Sequence, residues 1–362
     1  MPSNQSSSPE QLKLPASIEE VTPSWLSSVL GQKVKAIELT RSILNASAGK
    51  LFFTLTYEEG NGDDSKPKPI KICIKGGFNP DVIERYADFI TLLYKREADF
   101  FNLVAPKLGH MDIPKSYWAG KNDSQGLVIM EDLAAVGAEF GEPVNAWPVD
   151  RVMAGVTQLA GLHAAAWGKH TEYPWADPEY YDGLIWALAS RWDDLILGEN
   201  RPPLPDILKD EKRIKAALKK HYSSRNPRFL TLQHGDPHLG NTYLIQGEPR
   251  FLDWQGIQMG STFHDVAYFI SGSLTVEDRK AHEMRILDHY LGALSRFGGP
   301  SLSRDDEEVM VEYRKSMMSG FNWLLAPYEL QNEARVRAMV ERHSSALVDH
   351  KAIELLESLP DV

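Results

Sequence analysis

Hydrophobic and polar positions follow strand and helix spacing in turn along the first third of the chain. In residues 70–75 the isoleucines alternate with other side chains, so they share one face and Lys75 lies on the opposite face. Residues 80–104 instead carry apolar side chains at helical spacing, and Glu97 falls on this apolar stripe. The pattern predicts helices over 18–30 and 80–104, and strands over 51–57, 70–75, 115–120 and 126–130.

Beyond residue 130 the pattern becomes mainly helical, with a few short strands. It predicts helices over 150–167, 184–197 and 206–222, strands over 229–233, 242–245 and 250–253, and helices again from residue 276. The first dozen residues are rich in Ser, Gln and Pro, as in a terminal tail that does not fold. We therefore expect a disordered tail over 1–15, a strand-rich lobe over 16–129 and a helix-rich lobe over 130–362.

Composition narrows the class of protein. Hydrophobic residues make up 43% and charged residues 25% of the 362 residues, which is ordinary for a globular chain and excludes wholesale disorder. The net charge of −11 argues against a general nucleic-acid binder, and the single Cys73 excludes a disulfide framework or a multi-cysteine metal site. No apolar run approaches the ~18 residues of a membrane helix, and the N-terminus lacks a signal-peptide pattern. These features predict a soluble, cytoplasmic protein.

The strongest chemical signal is the segment HGDPHLGN, residues 234–241. It follows a predicted strand and opens a loop, where functional residues are often placed. Asp236 and Asn241 stand five positions apart, which is the spacing between the base and the metal-binding amide in the catalytic loop of kinases. In this interpretation Asp236 faces the hydroxyl group of a substrate.

A hairpin downstream would bring a second oxygen ligand to this loop. The sequence between Asn241 and Asp253 contains two short strands around QGEP, and we expect Ile245 to pair with Arg250. In that register Asn241 lies opposite Trp254, next to Asp253. An amide oxygen and a carboxylate are hard ligands that suit Mg²⁺, so the pattern predicts a magnesium site at Asn241 and Asp253.

Two other interpretations of this segment remain open. Asp and Asn are frequent in turns, so either residue alone could serve only the backbone conformation. His234, Asp236 and His238 also resemble the closely spaced ligands of a metallohydrolase, although no further cluster of matching spacing completes such a shell. We expect His234 to support the loop through hydrogen bonds, and the sequence assigns no role to His238.

Lys75 and Glu97 form the second candidate group. A glutamate on an apolar helix face is costly to bury unless it is paired, and a lysine at the end of a strand can be the partner. An ion pair between Lys75 and Glu97 would position a cation for nucleotide phosphates, as phosphoryl transfer requires. Independent surface roles for the two residues are the alternative.

A loop for nucleotide phosphates is the weakest candidate. Residues 44–50, LNASAGK, are small enough to let backbone N–H groups approach phosphates, and Ser47 and Gly49 are the candidate residues. The segment lacks a G-x-G-x-x-G pattern. Ser47, Gly49 and Lys50 could equally form an ordinary hairpin turn.

Together these segments resemble the aminoglycoside phosphotransferase and choline-kinase-like superfamily. The resemblance spans about residues 40–356, with the motifs in the family's order, and is greatest to the ecdysteroid-kinase-like branch. The motifs are ICIK with Glu97, VIMEDL (128–133), LHAAAW (162–167), HGDPHLGN, FLDWQ (251–255) and VDHKAIELL (348–356).

The resemblance implies an α+β, two-lobed protein-kinase-like fold, with a small antiparallel sheet in a nucleotide-binding N-lobe and a larger, mostly helical C-lobe. It implies transfer of the γ-phosphate of ATP, or of GTP, to a hydroxyl of a small molecule, with Mg²⁺ as cofactor. The roles it implies are Asp236 as catalytic base, Asn241 and Asp253 as metal ligands, Lys75 and Glu97 at the nucleotide phosphates, the backbone of Glu131 and Leu133 at the adenine, and Asp265 as a brace of the catalytic loop. His163, on a core helix face, is expected to be structural. The chain departs from the commoner family forms at Pro237 and in a phosphate loop that is not glycine-rich.

The acceptor is expected to be a small hydroxylated molecule, with neither nucleic acid nor a membrane as partner. The ecdysteroid-kinase-like resemblance favours a sterol-like or other secondary-metabolite alcohol, while an amino alcohol or a sugar stays open. Several tryptophans could line its pocket or fill the core: Trp167, Trp175, Trp186, Trp192 and Trp323. The competing class is a catalytically inactive kinase-fold binding or regulatory protein, against which the complete set of site residues weighs. A protein kinase is disfavoured because no A-P-E motif follows Asp253.

Overall fold

The structure is a computed structural model that describes residues 13–44, 47–58 and 69–360. The described residues divide into two compact units. The first contains the residues up to Pro106 with Pro114–Gly137, and the second contains Lys107–Ile113 with the residues from Ala138 onwards. No helix in these ranges is long and apolar enough to cross a membrane.

A five-stranded antiparallel sheet forms the centre of the first unit, in the strand order β1-β2-β3-β5-β4. The elements of this unit are α1 (Pro23–Leu30), β1 (Val34–Ile43), β2 (Gly49–Tyr57), β3 (Ile70–Gly76), α2 (Pro80–Asp99), β4 (Ser116–Lys121) and β5 (Gly126–Glu131). Ile72 and Ile74 of β3 are fully buried in its apolar core, as their alternation predicts. The helix predicted over 80–104 is α-helical only to Asp99 and continues as a π-helical turn over Phe100–Val104.

The start of the chain differs from the predicted tail over residues 1–15. Residues 1–12 lie outside the described residues, but Leu14 is buried in the core of the first unit. The carbonyl of Pro15 accepts a hydrogen bond from Gln125 Nε2 at 3.3 Å. Apolar contact and this hydrogen bond therefore attach residues 14 and 15 to the first unit.

The predicted lobe boundary after residue 129 falls inside β5, which continues to Glu131. The turn that follows is attached to β3, because the Asp132 amide donates a hydrogen bond to the Lys71 carbonyl at 3.1 Å. The segment up to Gly137 consequently belongs to the first unit.

The second unit is mainly helical and contains two small sheets, with strand orders β10-β7 and β6-β8-β9. Its elements are β6 (Glu139–Phe140), α3 (Val149–Ala166), α4 (Glu179–Ala189), α5 (Trp192–Leu195), α6 (Glu211–Ser223), β7 (Leu230–Gln233), β8 (Thr242–Ile245), β9 (Glu248–Phe251), β10 (Gln258–Ser261), α7 (Thr262–Ser273), α8 (Val276–Arg296), α9 (Glu307–Lys315), α10 (Phe321–Leu324), α11 (Glu333–Asp349) and α12 (Ala352–Ser358). The sequence pattern missed α7. This helix is buried nearly all round, which removes the polar face that makes a surface helix recognisable.

The predicted register of the β8–β9 hairpin is wrong by two residues. Ile245 pairs with Glu248 rather than with Arg250. The prediction assumed a four-residue loop, whereas the chain turns on Gln246 and Gly247 alone, with φ of 54° and 85°. Two consecutive residues at positive φ are typical of the tight hairpin turn whose twist matches that of the flanking strands.

Candidate active site

Lys75 and Glu97 are in contact in the first unit, as their sequence context predicts. The Lys75 ammonium lies 2.8 Å from Glu97 Oε1, and their side chains are only 4% and 3% exposed. β3 places the lysine on the sheet face opposite the buried isoleucines, and α2 supplies the glutamate. A pair this deeply buried fixes the direction of both side chains.

The predicted phosphate loop is only partly described, because residues 45 and 46 lie outside the described ranges. The Ser47 carbonyl accepts a hydrogen bond from the Tyr94 hydroxyl at 2.5 Å. A Cβ at position 49 would come within 2.9 Å of Phe78 Cβ, so close packing against Phe78 accounts for Gly49. The contacts of Ser47 and Gly49 are structural, and their proposed role at phosphates stays a prediction.

Glu131 is the last residue of β5, and Leu133 lies in the turn that follows it. The Glu131 amide donates to the Lys115 carbonyl at 2.9 Å, and the Glu131 carboxylate accepts from the Lys115 amide at 2.8 Å. The Leu133 amide has no hydrogen-bond partner within the described residues. A backbone N–H that is free in this way can donate to a ring nitrogen of a purine. The geometry is compatible with the predicted adenine contact at Leu133.

Asn241 and Asp253 both lie at the open end of the β8–β9 hairpin. The Leu252 amide donates to the Asn241 carbonyl at 3.0 Å, so Asn241 lies opposite Leu252 rather than Trp254, and Asp253 is still its neighbour. The Asn241 amide nitrogen donates to the Asp236 carbonyl at 2.9 Å. This bond leaves the Asn241 oxygen available, which is the atom a hard cation would take. The donor set therefore fits Mg²⁺.

Asp236 lies in the loop after β7, and both oxygens of its carboxylate have partners. Oδ1 accepts from the Tyr268 hydroxyl at 2.8 Å, and Oδ2 accepts from the Asn241 amide nitrogen at 3.2 Å. The side chain is 37% exposed in spite of these bonds. The carboxylate is thus held in one orientation while it remains accessible to a substrate.

His238 has a defined orientation that the sequence did not indicate. Its Nδ1 accepts a hydrogen bond from the Gly240 amide at 3.0 Å, so a ring proton is placed on Nε2. Nε2 lies 3.6 Å from Asp236 Oδ2, and the ring packs edge-on against Trp323. His238 therefore presents an N–H group to the carboxylate of Asp236.

A buried chain of hydrogen bonds holds the loop that contains Asp236. The Asp265 carboxylate is fully buried and accepts from the amides of His234 and Gly235 at 2.6 and 3.0 Å and from His163 Nε2 at 3.0 Å. The other ring nitrogen of His163 bonds the Tyr290 hydroxyl at 2.8 Å. Burial opposes ionisation of Asp265, but hydrogen bonding and charge from His163 outweigh it and the pKa lies below its usual value. These contacts give Asp265 and His163 the structural roles expected of them.

His234 and Gly235 shape the loop through backbone contacts. His234 Nε2 donates to the Leu252 carbonyl at 3.1 Å, while Nδ1 accepts from the Asp236 amide at 3.3 Å. Burial lowers the pKa of His234, so its ring stays neutral and suits these two roles. Gly235 has φ of 85°, and a Cβ there would come within 2.2 Å of the Gly256 carbonyl oxygen. Only glycine fits this position without displacing the backbone.

A cavity of about 170 Å³ opens beside Asp236 in the second unit. We name it the Asp236 cavity. Its apolar walls come from α4 and from the region around α10, with Leu184, Ile185, Leu188, Trp323, Ala326 and Leu330. Its polar lining consists of Asp236, His238, Tyr268, Asn322 and Gln331. Of the five candidate tryptophans only Trp323 is in this lining, and Trp192 is buried against Phe321.

The metallohydrolase alternative receives no support from the geometry. Nowhere in the described ranges do three or more His, Cys, Asp or Glu side chains form a group that could hold a metal ion. The rings of His234 and His238 are instead engaged with the backbone of their own loop and of its neighbour.

Comparisons with known proteins identify the family of this chain. The profile of the ecdysteroid kinase-like family matches residues 83–298, more than half of the chain. The chain belongs to this family. No curated protein matches at a significant level. The antiparallel sheet of the first unit and the mainly helical second unit are those of a protein-kinase-like fold.

Several solved structures of small-molecule kinases and phosphotransferases are similar to this chain. The GDP complex of aminoglycoside 2'-phosphotransferase-IIIa is 12% identical, with a TM-score of 0.50 over 90% of this chain and 96% of that one. Choline kinase LicA from Streptococcus pneumoniae is 15% identical, with a TM-score of 0.46 over 91% and 99%. Macrolide 2'-phosphotransferase MphH from Brachybacterium faecium is 16% identical, with a TM-score of 0.44 over 88% and 96%. At these identities the likeness concerns the fold alone.

Tyr268 donates a hydrogen bond to Asp236, a contact that no sequence motif indicated, and its replacement tests the geometry around Asp236. In Tyr268→Phe, Oδ1 loses its hydroxyl donor, so the carboxylate samples other orientations. We expect kcat of phosphate transfer to fall about tenfold while KM for the nucleotide is unchanged. The control is Tyr328→Phe, which removes a hydroxyl bonded to the Asn200 carbonyl on the surface. An unaltered kcat in Tyr268→Phe would contradict the positioning role.

Asp265→Asn tests how much the buried carboxylate of Asp265 contributes to the stability of the protein. The side-chain amide of asparagine has one oxygen that accepts hydrogen bonds, whereas both carboxylate oxygens of Asp265 accept them. At least one of the present donors, a backbone N–H or His163 Nε2, therefore loses its acceptor in the core. We expect a loss of about 3 kcal/mol in the free energy of unfolding, measured by urea denaturation. Asp288→Asn is the control, because its ion pair with Arg304 is exposed and worth less than about 1 kcal/mol. Equal losses of unfolding free energy in Asp265→Asn and Asp288→Asn would show that the buried hydrogen bonds of Asp265 contribute no more than an exposed ion pair.

Proposed function

We propose that this protein is a small-molecule kinase that transfers the γ-phosphate of ATP to a hydroxyl of a largely apolar, oxygenated acceptor. The observation that carries the proposal is the position of Asp236, whose carboxylate lines a cavity with mainly apolar walls. Membership of the ecdysteroid kinase-like family supports the phosphotransferase part of the proposal. The apolar walls support the choice of acceptor.

The lining of the Asp236 cavity argues for an uncharged acceptor. A polycationic acceptor needs several acidic side chains, but Asp236 is the one acidic residue among the lining residues described. A quaternary ammonium group needs a cage of aromatic rings, whereas the aromatic lining residues here are Tyr268 and Trp323, with His238. Trp323 Nε1 is buried without a partner in the described structure, so it can donate to an oxygen of the acceptor.

The proposed reaction uses few groups of the protein. Asp236 orients the acceptor hydroxyl and takes its proton as the hydroxyl oxygen forms a bond to the γ-phosphorus. The bond between the γ-phosphorus and the bridging oxygen of ATP breaks, and ADP leaves with the electron pair. Lys75, held by Glu97, binds phosphate oxygens of the nucleotide, and the Leu133 amide contacts the adenine. Tyr268 and Asn241 keep the carboxylate in its orientation.

Asn241 and Asp253 are the residues that would hold Mg²⁺. Bound Mg²⁺ neutralises negative charge on the transferring phosphoryl group. Asn241 also orders the loop, since its amide nitrogen bonds both the carbonyl and the carboxylate of Asp236.

A transfer assay with labelled ATP and Mg²⁺ tests the proposal. The acceptor panel consists of hydroxylated steroids, choline with ethanolamine, and aminoglycosides, and the control enzyme is Asp236→Asn. We expect transfer to members of the steroid class, and none with the variant. Transfer only to a charged class would refute the apolar acceptor. If no acceptor is phosphorylated and ATP does not bind in a Mg²⁺-dependent manner, the inactive kinase-fold protein becomes the better description.

A further inference from the structure

A second cavity adjoins the Asp236 cavity inside the second unit. The two cavities share Ile185 and Asn322 in their linings. Most residues that line the second cavity have polar side chains, and they include His221, Arg225, Gln233, Gln258, Lys315 and Ser316. We name it the polar chamber. No part of the proposed phosphate transfer uses these residues, so their concentration around one cavity requires a separate explanation.

Four buried polar atoms in this lining have no hydrogen-bond partner within the described residues. They are Gln233 Oε1, Gln258 Oε1, His221 Nδ1 and Ser316 Oγ. Both glutamines and Ser316 are at most 4% exposed. A buried polar atom without a partner costs free energy, and native proteins contain few of them. Four such atoms around one cavity indicate that it receives groups that can donate hydrogen bonds.

The charges of the polar chamber are already paired. Arg225 contacts both carboxylate oxygens of Asp182 at 2.6 Å, and Lys315 lies 2.7 Å from Glu312. Burial raises the pKa of Asp182, but the two contacts with Arg225 favour the ionised carboxylate. Burial, with the nearby Lys315, holds the pKa of His221 well below its usual value, so this ring is neutral. An ionic group entering the chamber would have no counter-charge, whereas a neutral hydroxyl would bring the missing donor.

The absence of a side chain at Gly260 leaves the space that the Gln233 side-chain amide occupies in the lining. β10 and β7 pair next to each other here, with Gly260 opposite Thr231 and Gln258 opposite Gln233. A Cβ at position 260 would lie 2.5 to 2.8 Å from the atoms of the Gln233 amide group. The side chain of Gln233 therefore crosses the backbone at Gly260, and a methyl group there would displace it.

The size of the polar chamber limits what can enter it. Its volume is about 40 Å³, and one water-sized group needs roughly 10–15 Å³. About three hydroxyl-sized groups therefore fit, but a ring does not. We propose that the polar chamber is a second subsite of the Asp236 cavity and binds neutral hydroxyl groups that project from the acceptor past Ile185 and Asn322. This inference rests on the proposed function, since it concerns the acceptor of the same reaction.

Equilibrium binding of matched steroid probes tests this subsite without any phosphate transfer. The probes are 5α-androstan-3β-ol and a set of diols that add one hydroxyl at different ring positions, measured by calorimetry on the full chain. We expect at least one diol to bind about tenfold more tightly than the mono-alcohol. Gln258→Leu and Gly260→Ala should each remove that preference, because one deletes an acceptor atom and the other displaces the Gln233 amide.

The control variant is Leu188→Ala, which lies in the Asp236 cavity alone and should weaken all probes by the same factor. Thermal unfolding of each variant without probe verifies that it folds. Equal affinities of mono-alcohol and diols for the wild type, a preference that survives both chamber variants, or no binding of any probe would each overturn the inference. A diol preference without phosphate transfer would contradict only the proposed function.

Discussion

Replacing Asp236 by Asn is expected to lower kcat for phosphate transfer by about 10³-fold, with folding and nucleotide binding retained. Asparagine has the same shape and can still accept the hydrogen bond from Tyr268 through its amide oxygen. It cannot take a proton from the acceptor hydroxyl. The loop should keep its structure, because the Asn241 side chain also bonds the backbone carbonyl of residue 236.

The measurement is kcat at saturating Mg-ATP, together with the calorimetric affinity for ATP. Asp210→Asn is a matched control, since Asp210 caps α6 through a 3.0 Å bond to the Arg213 amide and asparagine caps helices equally well. An Asp236→Asn enzyme with wild-type kcat would refute the assignment of Asp236 as the base. A variant that has also lost affinity for ATP would show that the substitution disturbs more than proton transfer.

Local patterns in the sequence were sufficient for much of the fold. The strand containing Lys75 could be predicted because alternating isoleucines leave only one arrangement of its two faces. Glu97 could be paired with Lys75 because a carboxylate on an apolar stripe has to find a cation. In both cases the cost of burying the wrong group is large, so a short stretch of sequence determines the outcome.

The remaining features depend on contacts between distant segments. Tyr268 contacts Asp236 from a helix that begins 26 residues further along the chain, and no spacing rule connects the two. The register of the β8–β9 hairpin depended on Gln246 adopting positive φ, which is uncommon for this residue type. His238 could not be assigned because its orientation comes from the Gly240 amide and from Trp323.

The Asp236 cavity was the least predictable part for the same reason. Its walls come from α4, from the loop that contains Asp236, from α7 and from the region of α10, which are far apart in sequence. The sequence left open whether the five candidate tryptophans line a pocket or fill the core, and four of them lie outside this lining. The sequence gives no signal that Gln233 and Gln258 have a special role, because the side chain of a glutamine in a short strand is usually exposed to solvent. Their significance comes from burial without a partner.

Replacement of Asp253 by Asn is expected to abolish the Mg²⁺ dependence of nucleotide binding. Asp253 has φ of 66°, in the left-handed region, where asparagine is tolerated and alanine is strained. Asp253→Asn therefore removes the negative charge with the backbone intact, which Asp253→Ala does not. Without the carboxylate, the remaining amide oxygen of Asn241 binds Mg²⁺ only weakly. We expect affinity for ATP in the presence of Mg²⁺ to fall about 10- to 100-fold, to the value measured without the metal.

Calorimetric titrations of ATP with and without Mg²⁺ distinguish the charge of Asp253 from its backbone conformation. Asp253→Gly removes the whole side chain and is free of strain at positive φ, so it should behave as Asp253→Asn does. Gln246→Gly is the matched control, because Gln246 also has positive φ, at the opposite end of the same hairpin, and contacts no predicted ligand. Mg²⁺-dependent binding that persists in both Asp253 variants would remove Asp253 from the metal site. Gln246→Gly leaves the Asp253 carboxylate in place. If this variant also loses Mg²⁺-dependent binding of ATP, the loss is caused by a change in the hairpin and not by removal of the carboxylate.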